Sequence, residues 1–358
     1  MTDIGIVGAG AAAAAATYVL DGAVPDASVT VLEKSGGLCG RAATRRRGDV
    51  TYDYGANYLR DDDDQVVDLV TTFDDGLVDV VGDVYAFDRT GTVSEGRDTD
   101  GRKWTYRTGL TRLAKHLFGA TDATVHRRTR VEGLTRTGDA WTLADDAGER
   151  WGPFDVVLLN PPAPGTAALL EAADWEQEAR TDLLAAARDV DYRAVWTAVL
   201  GYGFDLDRPY YALVNADKEH AVGWVARESC KPGHVPDGES VLVVQANHEW
   251  SVERSDADPS ENVAALADHA AALLDDERLS DPAWTDHQDW RYALPESGLR
   301  RGARGAAEDA GCYVVGDWVA GEARLHAALR SGLDTGERVA DALTALGRRP
   351  ALDPQERR

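Results

Sequence analysis

The pattern of apolar and polar positions at the amino terminus predicts a strand, a glycine turn and a helix. Residues 4–7 (IGIV) form a short apolar run typical of a buried strand, and residues 11–20 (AAAAAATYVL) have strong helix propensity. Gly8-Ala9-Gly10 lies between them, and Ala13 completes a GxGxxA spacing. In such a turn the second glycine admits a pyrophosphate to the backbone, and the N–H groups of the helix bind it. The predicted phosphate-binding residues are Gly8, Gly10, Ala11 and Ala12.

The next apolar segment ends in an acid. Residues 28–32 (SVTVL) predict a second strand, and Glu33 follows it, 23 residues beyond Gly10. A carboxylate there accepts hydrogen bonds from both hydroxyls of an adenosine ribose and repels a 2′-phosphate. A secretory signal is the alternative interpretation of the alanine run, but it needs a positive amino end, whereas Asp3 precedes any lysine or arginine. The pattern therefore favours a dinucleotide site.

Further apolar runs divide the chain into two predicted domains. Residues 156–159 and 311–315 predict buried strands, whereas 197–204 and 240–250 alternate as in an antiparallel sheet. We expect an α/β fold, with a Rossmann-like parallel sheet in one domain and a mixed or antiparallel sheet with helices, including 262–274, in the other. The predicted nucleotide-binding domain comprises residues 1–62, 119–164 and 286–350, the substrate domain comprises 63–118 and 165–285, and 351–358 form a frayed tail.

A second glycine cluster favours FAD over NAD as the predicted dinucleotide. Residues 34–41 read KSGGLCGR, and an NAD-binding domain has no need of these glycines or of the arginine. In a flavin protein the backbone of this segment, from Lys34 to Gly40, passes close to FAD, and Arg41 pairs with its pyrophosphate. FAD is therefore the predicted cofactor, and NAD alone is the alternative that a colourless protein would indicate.

A second acid follows the last predicted strand. Gly316-Asp317 directly follows the predicted strand of residues 311–315. This is the strand end that faces the ligand crevice of an open α/β sheet. Asp317 is placed to bind the ribityl hydroxyls of a flavin. A helix of about 325–346 follows, and its first turn, with His326 and Ala327, would direct N–H groups at the flavin pyrimidine ring, where negative charge gathers on reduction.

Composition narrows the partners and the compartment. The formal net charge of −24 disfavours nucleic acid and anionic membranes as partners, and its aspartate-rich, lysine-poor character is typical of a halophilic protein. No apolar stretch is long enough to span a bilayer. The cysteines are three in number and far apart, so we expect no disulfide framework and a cytoplasmic location. No Cys or His pair has metal-ligand spacing, and no metal site is predicted.

The motifs together resemble the FAD-dependent amine oxidoreductase superfamily, and within it the renalase-like branch. The resemblance rests on VGAGAAA (7–13), EKSGGLCGR (33–41), YDYGANYL (52–59) and VVGDW (314–318), and weaker likenesses extend over nearly the full chain. It implies an amine-oxidase-type FAD-binding domain. It also implies an FAD site that includes Gly8, Gly10, Ala11, Glu33, Arg41, Gly55, Ala56, Asn57, Asp317 and, through its backbone, Val131.

Two positions depart from that resemblance. Members that bind flavin covalently carry a cysteine in a loop before the last strand, whereas Cys312 lies inside the predicted strand. We therefore expect FAD to be bound non-covalently. In SCKPGH (229–234), His234 stands where similar sequences commonly have arginine.

A bound flavin supplies the redox chemistry, so the protein has only to position a donor. Aromatic side chains suit a pocket for a flat or cationic donor, and Arg291 would hold a substrate anion or a structural acid. The candidate pocket residues are Tyr58, Trp290 and Arg291, with Trp224, Trp250 and Tyr292 as further aromatic candidates.

Three functions remain open from the sequence. The first is a renalase-like oxidase that takes hydride from a small-molecule dihydropyridine, an isomer of NAD(P)H, and passes the electrons to O2. The second is an amine oxidase or desaturase of the wider superfamily. The third is a non-catalytic flavin-binding redox sensor. The sequence does not give the oligomeric state.

Overall fold

A five-stranded parallel sheet forms the centre of the nucleotide-binding half. In the computed structural model, which describes residues 2–96 and 101–347, its strand order is β10-β2-β1-β14-β20. Every neighbouring pair is parallel. The bounds are β1 Thr2–Val7, β2 Ala27–Glu33, β10 Thr124–Arg127, β14 Val156–Leu159 and β20 Cys312–Val314. The predicted strands at 4–7, 28–32, 156–159 and 311–315 are therefore present, with small shifts at their ends.

Both faces of this sheet are covered, which explains why its strands read as continuous apolar runs. Val156 and Leu158 of β14 face a core shared with four helices, whereas Val157 and Leu159 face a second core. The first core contains α1 (Ala11–Ala23), α2 (Asp64–Thr72), α3 (Thr111–Gly119) and α10 (Leu325–Gly347). The second contains α4 (Ala163–Glu171), α5 (Glu178–Arg188), α8 (Gly305–Asp309) and an antiparallel sheet of β11 (Val131–Thr137), β12 (Ala140–Asp145) and β13 (Arg150–Phe154).

A seven-stranded sheet forms the other half, in the order β19-β15-β18-β17-β16-β7-β8. Only β16 and β7 pair in parallel. Trp196, Ala198 and Leu200 face a core with α7 (Pro259–Leu274), and α6 (His248–Glu253) lies at its margin. The strands are β7 Asp83–Phe87, β8 Val93–Ser94, β15 Tyr192–Tyr202, β16 Tyr210–Asn215, β17 Val222–Arg227, β18 Ser240–Ala246 and β19 Trp284–Pro295.

Short elements connect the two halves. The hairpin of β3 (Thr44–Arg47) and β4 (Val50–Asp53) packs its Val50 and Tyr52 against Val199, on the face of the seven-stranded sheet opposite α7. The remaining elements are β5 (Leu59–Arg60), β6 (Leu77–Asp79), β9 (Lys103–Tyr106) and α9 (Asp317–Ala320). The carboxyl edge of the parallel sheet thus faces one surface of the seven-stranded sheet across the β4 hairpin.

The division between the halves differs from the predicted boundaries. Residues 286–295 lie in β19, paired with β15 along nearly its whole length, so they belong to the seven-stranded sheet. Helices α4 and α5, expected in the substrate domain, bury their apolar faces on the parallel sheet, and α2 and α3 do the same on its other face. Apolar helix faces pack on the nearest sheet, and chain order does not reveal which sheet that is. The tail at 351–358 lies outside the described residues.

The phosphate-turn helix α1 packs closely on the last helix. Gly332 of α10 has no room for a side chain, since a Cβ there would collide with the Ala12 carbonyl oxygen and lie 2.8 Å from the Ala15 Cβ. One turn later a Cβ at Gly336 would lie 2.8 Å from the Val19 Cβ. The small residues therefore set the distance between the two helices, and with it the position of the first turn of α1.

Gly332→Ala is expected to destabilise the protein by about 1–3 kcal/mol, because the added methyl forces α1 and α10 apart. Gly22→Ala is the matched control: Gly22 also lies in a helix, but a Cβ there meets nothing within 4 Å. That substitution should stabilise by up to about 1 kcal/mol through helix propensity. Urea unfolding of both variants measures the difference, and equal effects would contradict this account of the packing.

Candidate active site

The β1–α1 turn leaves the start of the helix open to a ligand. Gly8 has φ +92, a left-handed conformation that favours glycine, and Gly10 is the N-cap residue of α1. No side chain caps the helix within the described residues, and its first turn contains Ala11 and Ala12. Uncapped N–H groups at the positive end of a helix dipole are the arrangement that binds a pyrophosphate.

The second glycine turn lies directly against the first. The Cys39 N–H donates to the Ala9 carbonyl at 2.9 Å, and a Cβ on Gly40 would lie 3.4 Å from the Gly10 Cα. Gly40 is also left-handed, with φ +58. Burial raises the pKa of the Cys39 thiol to about 12, so this thiol is no nucleophile. The two predicted glycine clusters thus form one backbone cradle.

Glu33 orients the cradle from the end of β2. Its Oε2 accepts the Ala9 N–H at 2.7 Å, and its Oε1 accepts the Ser35 N–H at 2.7 Å, with the side chain buried. Each carboxylate oxygen keeps a further lone pair, as binding ribose hydroxyls requires. The Thr129 N–H donates to the Glu33 carbonyl at 2.8 Å, which brings the start of β11, and thus Val131, to this end of the site.

A cavity of about 390 Å³ adjoins Glu33, lined by Gly36 and residues 125–129. It lies at the carboxyl edge of the sheet, beside the strand that Glu33 ends. Lys34 is exposed at its margin. The position suits the adenosine end of a dinucleotide.

Arg41 joins three of the predicted cofactor segments. Its guanidinium lies 2.6 Å from the Asp317 carboxylate and donates to the Ala293 carbonyl at 2.8 Å. Its own carbonyl accepts the Ala56 N–H at 2.9 Å, and a Cβ at Gly55 would collide with that oxygen. The structure therefore brings together residues that are far apart in sequence. It also shows that the guanidinium, expected at a pyrophosphate, already has a carboxylate partner.

The start of α10 lies beside the same edge. His326 and Ala327 are buried in its first turn. The His326 ring is 3.5 Å from the Glu322 carboxylate and 3.8 Å from that of Asp62. These are the two residues expected near the flavin pyrimidine ring.

Sequence reasoning missed Asn160. Its Oδ1 accepts the Gly10 N–H at 3.0 Å and its Nδ2 donates to the Val315 carbonyl at 3.0 Å, so it ties the first turn to the end of β20. The sequence does carry a signal for this role, because Asn160 is a polar residue that directly follows the buried strand β14, at the edge of a parallel sheet where ligands bind.

An uncharged polar and aromatic wall faces this edge from the seven-stranded sheet. The register places Thr197, Gln245 and Trp224 side by side on three strands. Gln245 donates to the Gly55 carbonyl at 2.9 Å, and the Asn57 amide lies 3.4 Å from its oxygen. Within the described residues, several buried polar atoms of this wall have no hydrogen-bond partner: Asn57 Oδ1, Thr197 Oγ1, Tyr211 Oη and Trp224 Nε1.

Tyr58 and Trp290 flank the wall. Tyr58 packs against Tyr211 and Trp224, with ring centroids 6.1 Å apart in each pair. Trp290 stacks on Tyr54 at 5.4 Å and donates to its carbonyl at 3.1 Å. Burial raises the pKa of Tyr58, so its hydroxyl stays protonated.

Two other candidates lie away from the pocket, and a third lies beside Arg41. Arg291 is exposed and pairs with Asp289 at 3.3 Å, because alternation along β19 turns it outward from Trp290. Tyr292 is 47% exposed, but its ring packs edge-on against Tyr192 and its carbonyl accepts from the Arg41 guanidinium at 3.3 Å. Trp250 packs on Trp196 at the α7 face of the sheet, opposite the pocket. Sequence alone does not reveal which sheet face a residue joins.

Four fully buried charged residues lie beneath the wall; we call Asp53, Glu228, Lys231 and His234 the buried ionic network. The Lys231 ammonium lies 2.7 Å from the Glu228 carboxylate and 3.1 Å from that of Asp53. His234 Nδ1 lies 2.8 Å from the other Glu228 oxygen, and its Nε2 is 2.9 Å from the Tyr106 carbonyl. Asp53, Glu228 and His234 are close enough together to hold a metal ion, but the ammonium already lies between the two carboxylates.

Asp53 and Lys231 hold each other ionised. Burial alone would raise the pKa of Asp53, but Lys231, His234 and the hydrogen bonds from Thr44 and Leu110 hold it below its ordinary value of 3.8. Burial alone would lower the pKa of Lys231, but Asp53 and Glu228 hold it above 10.5. Removing one member leaves an uncompensated buried charge, which typically costs about 3–5 kcal/mol.

Asp53→Asn is expected to cost about 3–5 kcal/mol at pH 7, because Lys231 loses one anionic partner. The folded-state pKa of Asp53 lies below its unfolded value, so its stabilisation is present above that value and is lost as pH falls. The difference in the free energy of unfolding between wild type and variant should therefore be about 1 kcal/mol smaller at pH 3 than at pH 7. Urea unfolding at both pH values measures it. Asp139→Asn, at an exposed carboxyl, is the control, and an unchanged gap would contradict the assignment.

Comparison with known proteins agrees with this geometry. Residues 6–73 match the NAD(P)-binding Rossmann-like domain model, and residues 72–340 match the model of flavin containing amine oxidoreductases. No described helix is both long enough and apolar enough to cross a membrane.

Solved structures share the fold at low sequence identity. A putative protoporphyrinogen oxidase from Exiguobacterium sp. 255-15 superposes with a TM-score of 0.78 at 14% identity, covering 95% of this chain and 99% of its own. Wild-type putrescine oxidase bound to putrescine gives 0.73 at 12% identity, covering 95% and 99%. Cyclohexylamine oxidase from Brevibacterium oxydans IH-35A gives 0.73 at 12%, covering 96% and 99%. The chain belongs to the flavin containing amine oxidoreductase family and is an FAD-dependent oxidoreductase.

Proposed function

We propose that this enzyme oxidises a dihydropyridine, an isomer of NAD(P)H, in the manner of renalase-like proteins. The observation that carries the proposal is the uncharged character of the pocket wall. Asn57, Tyr58, Trp224 and Gln245 suit a flat neutral ring, and the acids behind them are already paired. Asp62 lies 3.1 Å from Arg60, and the network carboxylates share Lys231. An ammonium substrate would favour a carboxylate free to pair with it.

The proposed cofactor contacts follow from the cradle. The first turn of α1, with Gly8 and Gly10, would bind the pyrophosphate, and Glu33 would bind the adenosine ribose. Arg41 holds the Asp317 carboxylate in place, so that its remaining lone pairs face the crevice for the ribityl hydroxyls. The other proposed contacts are Lys34, Gly40, Gly55, Ala56, Asn57, the Val131 backbone, His326 and Ala327.

Bound FAD would supply the two-electron acceptor for the hydride of the donor, and O2 would take up the two electrons as H2O2. The side chains of the pocket orient the donor and exclude water. Tyr58 and Trp224 would pack on the flat faces of the donor, Trp290 closes one side by packing on Tyr54, and Gln245 and Asn57 fix the Gly55 carbonyl. The buried hydroxyl of Thr197 and indole N–H of Trp224, which have no partner among the described residues, offer hydrogen bonds to a polar substituent of the ring.

We propose that FAD is bound without a covalent link. Cys312 lies within β20 in the second core, and burial raises the pKa of its thiol to about 12. A protonated thiol facing the core has neither the reactivity nor the position for flavin attachment. The three cysteines are buried and free, which supports a reducing, cytoplasmic setting, and the net charge of −24 supports a salt-rich one.

Gly55→Ala is expected to weaken FAD binding about tenfold or more, because the new methyl displaces the 54–58 turn from the Arg41 carbonyl. Gly203→Ala is the matched control, since a Cβ at that exposed glycine, just after β15, meets nothing within 4 Å. Quenching of flavin fluorescence measures both dissociation constants. Equal binding by the two variants would count against the proposed contact.

An amine substrate is the second candidate. The family match and the likeness to putrescine oxidase and cyclohexylamine oxidase favour it. The two candidates differ in the electron donor, which is a dihydropyridine in the first and an amine in the second. They therefore differ in which compound bleaches the bound flavin.

Anaerobic rapid mixing decides between the two. NAD(P)H isomers should bleach the bound flavin within the mixing experiment, whereas primary and secondary amines should leave it oxidised. Oxygen readmitted afterwards should restore the flavin absorbance and yield one H2O2 for each donor oxidised. Flavin that amines bleach and dihydropyridines do not would overturn the proposed donor.

A further inference from the structure

The buried ionic network lies at the junction of the two halves. Asp53 is the last residue of β4, and the 54–58 turn that supplies Gly55, Asn57 and Tyr58 follows it directly. Glu228, Lys231 and His234 belong to the segment after β17, in the seven-stranded sheet. The network therefore ties the proposed cofactor turn to the substrate-side sheet.

Hydrogen bonds fix the backbone of this junction as well as its side chains. The Asp53 N–H donates to Glu228 Oε2 at 3.1 Å, and the Thr51 N–H donates to the His234 carbonyl at 2.7 Å. Asp53 Oδ1 accepts the Leu110 N–H at 2.9 Å, and its Oδ2 accepts the Thr105 hydroxyl at 3.0 Å. Segments from three parts of the chain, 51–53, 105–110 and 228–234, thus meet at the Asp53 and Glu228 carboxylates.

His234 connects two elements through its ring nitrogens. Its Nε2 faces the Tyr106 carbonyl, which has no proton to give, so Nε2 donates. Its Nδ1 lies 2.8 Å from a Glu228 oxygen that also accepts the Asp53 N–H, while Lys231 lies 2.7 Å from the other oxygen. Glu228 therefore joins the end of β4 to both Lys231 and His234.

One aromatic ring connects the network to the pocket wall. Tyr211 is fully buried and packs edge-on against Tyr58, with its hydroxyl unpartnered within the described residues. Burial first, and then the charges of Glu228 and Asp53 among its neighbours, raise the pKa of Tyr211. The acids are therefore close enough to influence the ring that supports Tyr58.

We propose that the buried ionic network is the positioning device for the 54–58 turn, and that binding of FAD to this turn is coupled through it to the order of the 228–234 segment. The inference rests on the proposed cofactor contacts of Gly55, Ala56 and Asn57. It assigns Glu228, Lys231 and His234 as positioning residues that need not touch cofactor or substrate. A unit whose members contact one another in this way suits the role, because each side chain is held only when the others are in place.

Glu228→Gln tests the proposal, because it keeps the shape of the side chain and removes one charge. Leu266→Ala is the matched control: Leu266 is fully buried in α7, on the opposite face of the same sheet. Both variants lose stability, so flavin binding is measured at a temperature where near-ultraviolet circular dichroism shows each to be folded. Glu228→Gln should raise the FAD dissociation constant about tenfold or more, whereas Leu266→Ala should stay within about twofold of wild type. Equal constants for the two variants would overturn the proposal.

Amide hydrogen exchange of the wild-type protein, with and without FAD, covers the case in which Glu228→Gln does not fold. FAD should slow exchange in peptides spanning 50–60 and 226–236 and leave the α7 peptide, 259–274, little changed. Protection of 50–60 without any change in 226–236 would overturn the coupling. If FAD binds and shows this coupling but no dihydropyridine reduces it, the proposed donor fails and the positioning role stands.

Discussion

The contacts of Arg41 are the constraint on which the geometry of the site depends. One guanidinium lies against Asp317 after the last strand of the parallel sheet and against the carbonyl of Ala293 on β19. The carbonyl of the same residue receives the N–H of Ala56. Four segments that are distant in sequence therefore meet at the carboxyl edge of the parallel sheet. Charge-assisted, multiply bonded arginine contacts are well suited to such a junction, because a lysine has no planar fork to replace them.

Close backbone packing makes that junction possible. The turn at Gly8 and Gly10 contacts the turn at Gly40, and the Gly55 turn contacts Arg41, with no space for side chains at Gly10 or Gly55. Helix α1 packs closely against α10 at Gly332. The buried ionic network then fixes the far side of the 54–58 turn to the seven-stranded sheet. The cofactor cradle and the substrate wall are thus two sides of one folded unit.

The sequence predicted the parts of this site that depend on local order along the chain. The strand, glycine turn and helix at the amino terminus, the acid at Glu33 and the acid at Asp317 each follow a local pattern that the structure reproduces. The helix at 262–274 and the last helix near 325–346 also match elements of the structure, α7 and α10. These elements are recognisable because hydrophobic period and turn chemistry act over a few residues.

Features that depend on tertiary pairing were not predictable in the same way. Asn160 contacts Gly10 because β14 pairs with β1. Lys231 has one partner near it in sequence, Glu228, and one far away, Asp53. The outward direction of Arg291 depends on strand register, which one-residue shifts invert. Trp250 lies in α6, because β18 ends at Ala246, although the alternation to residue 250 predicted a longer strand. The halves of the fold were likewise misdivided at β19 because strand pairing, not chain order, assigns a strand to its sheet.

The central claim is that the first glycine turn, Glu33 and Asp317 converge on a single FAD. Titration of the apoprotein with FAD, followed by flavin fluorescence and repeated in the presence of ADP, tests this most directly. The account predicts one FAD per chain and competition by ADP, because the adenosine and pyrophosphate contacts are shared. Simultaneous binding of FAD and ADP, or no saturable binding of FAD, would contradict it.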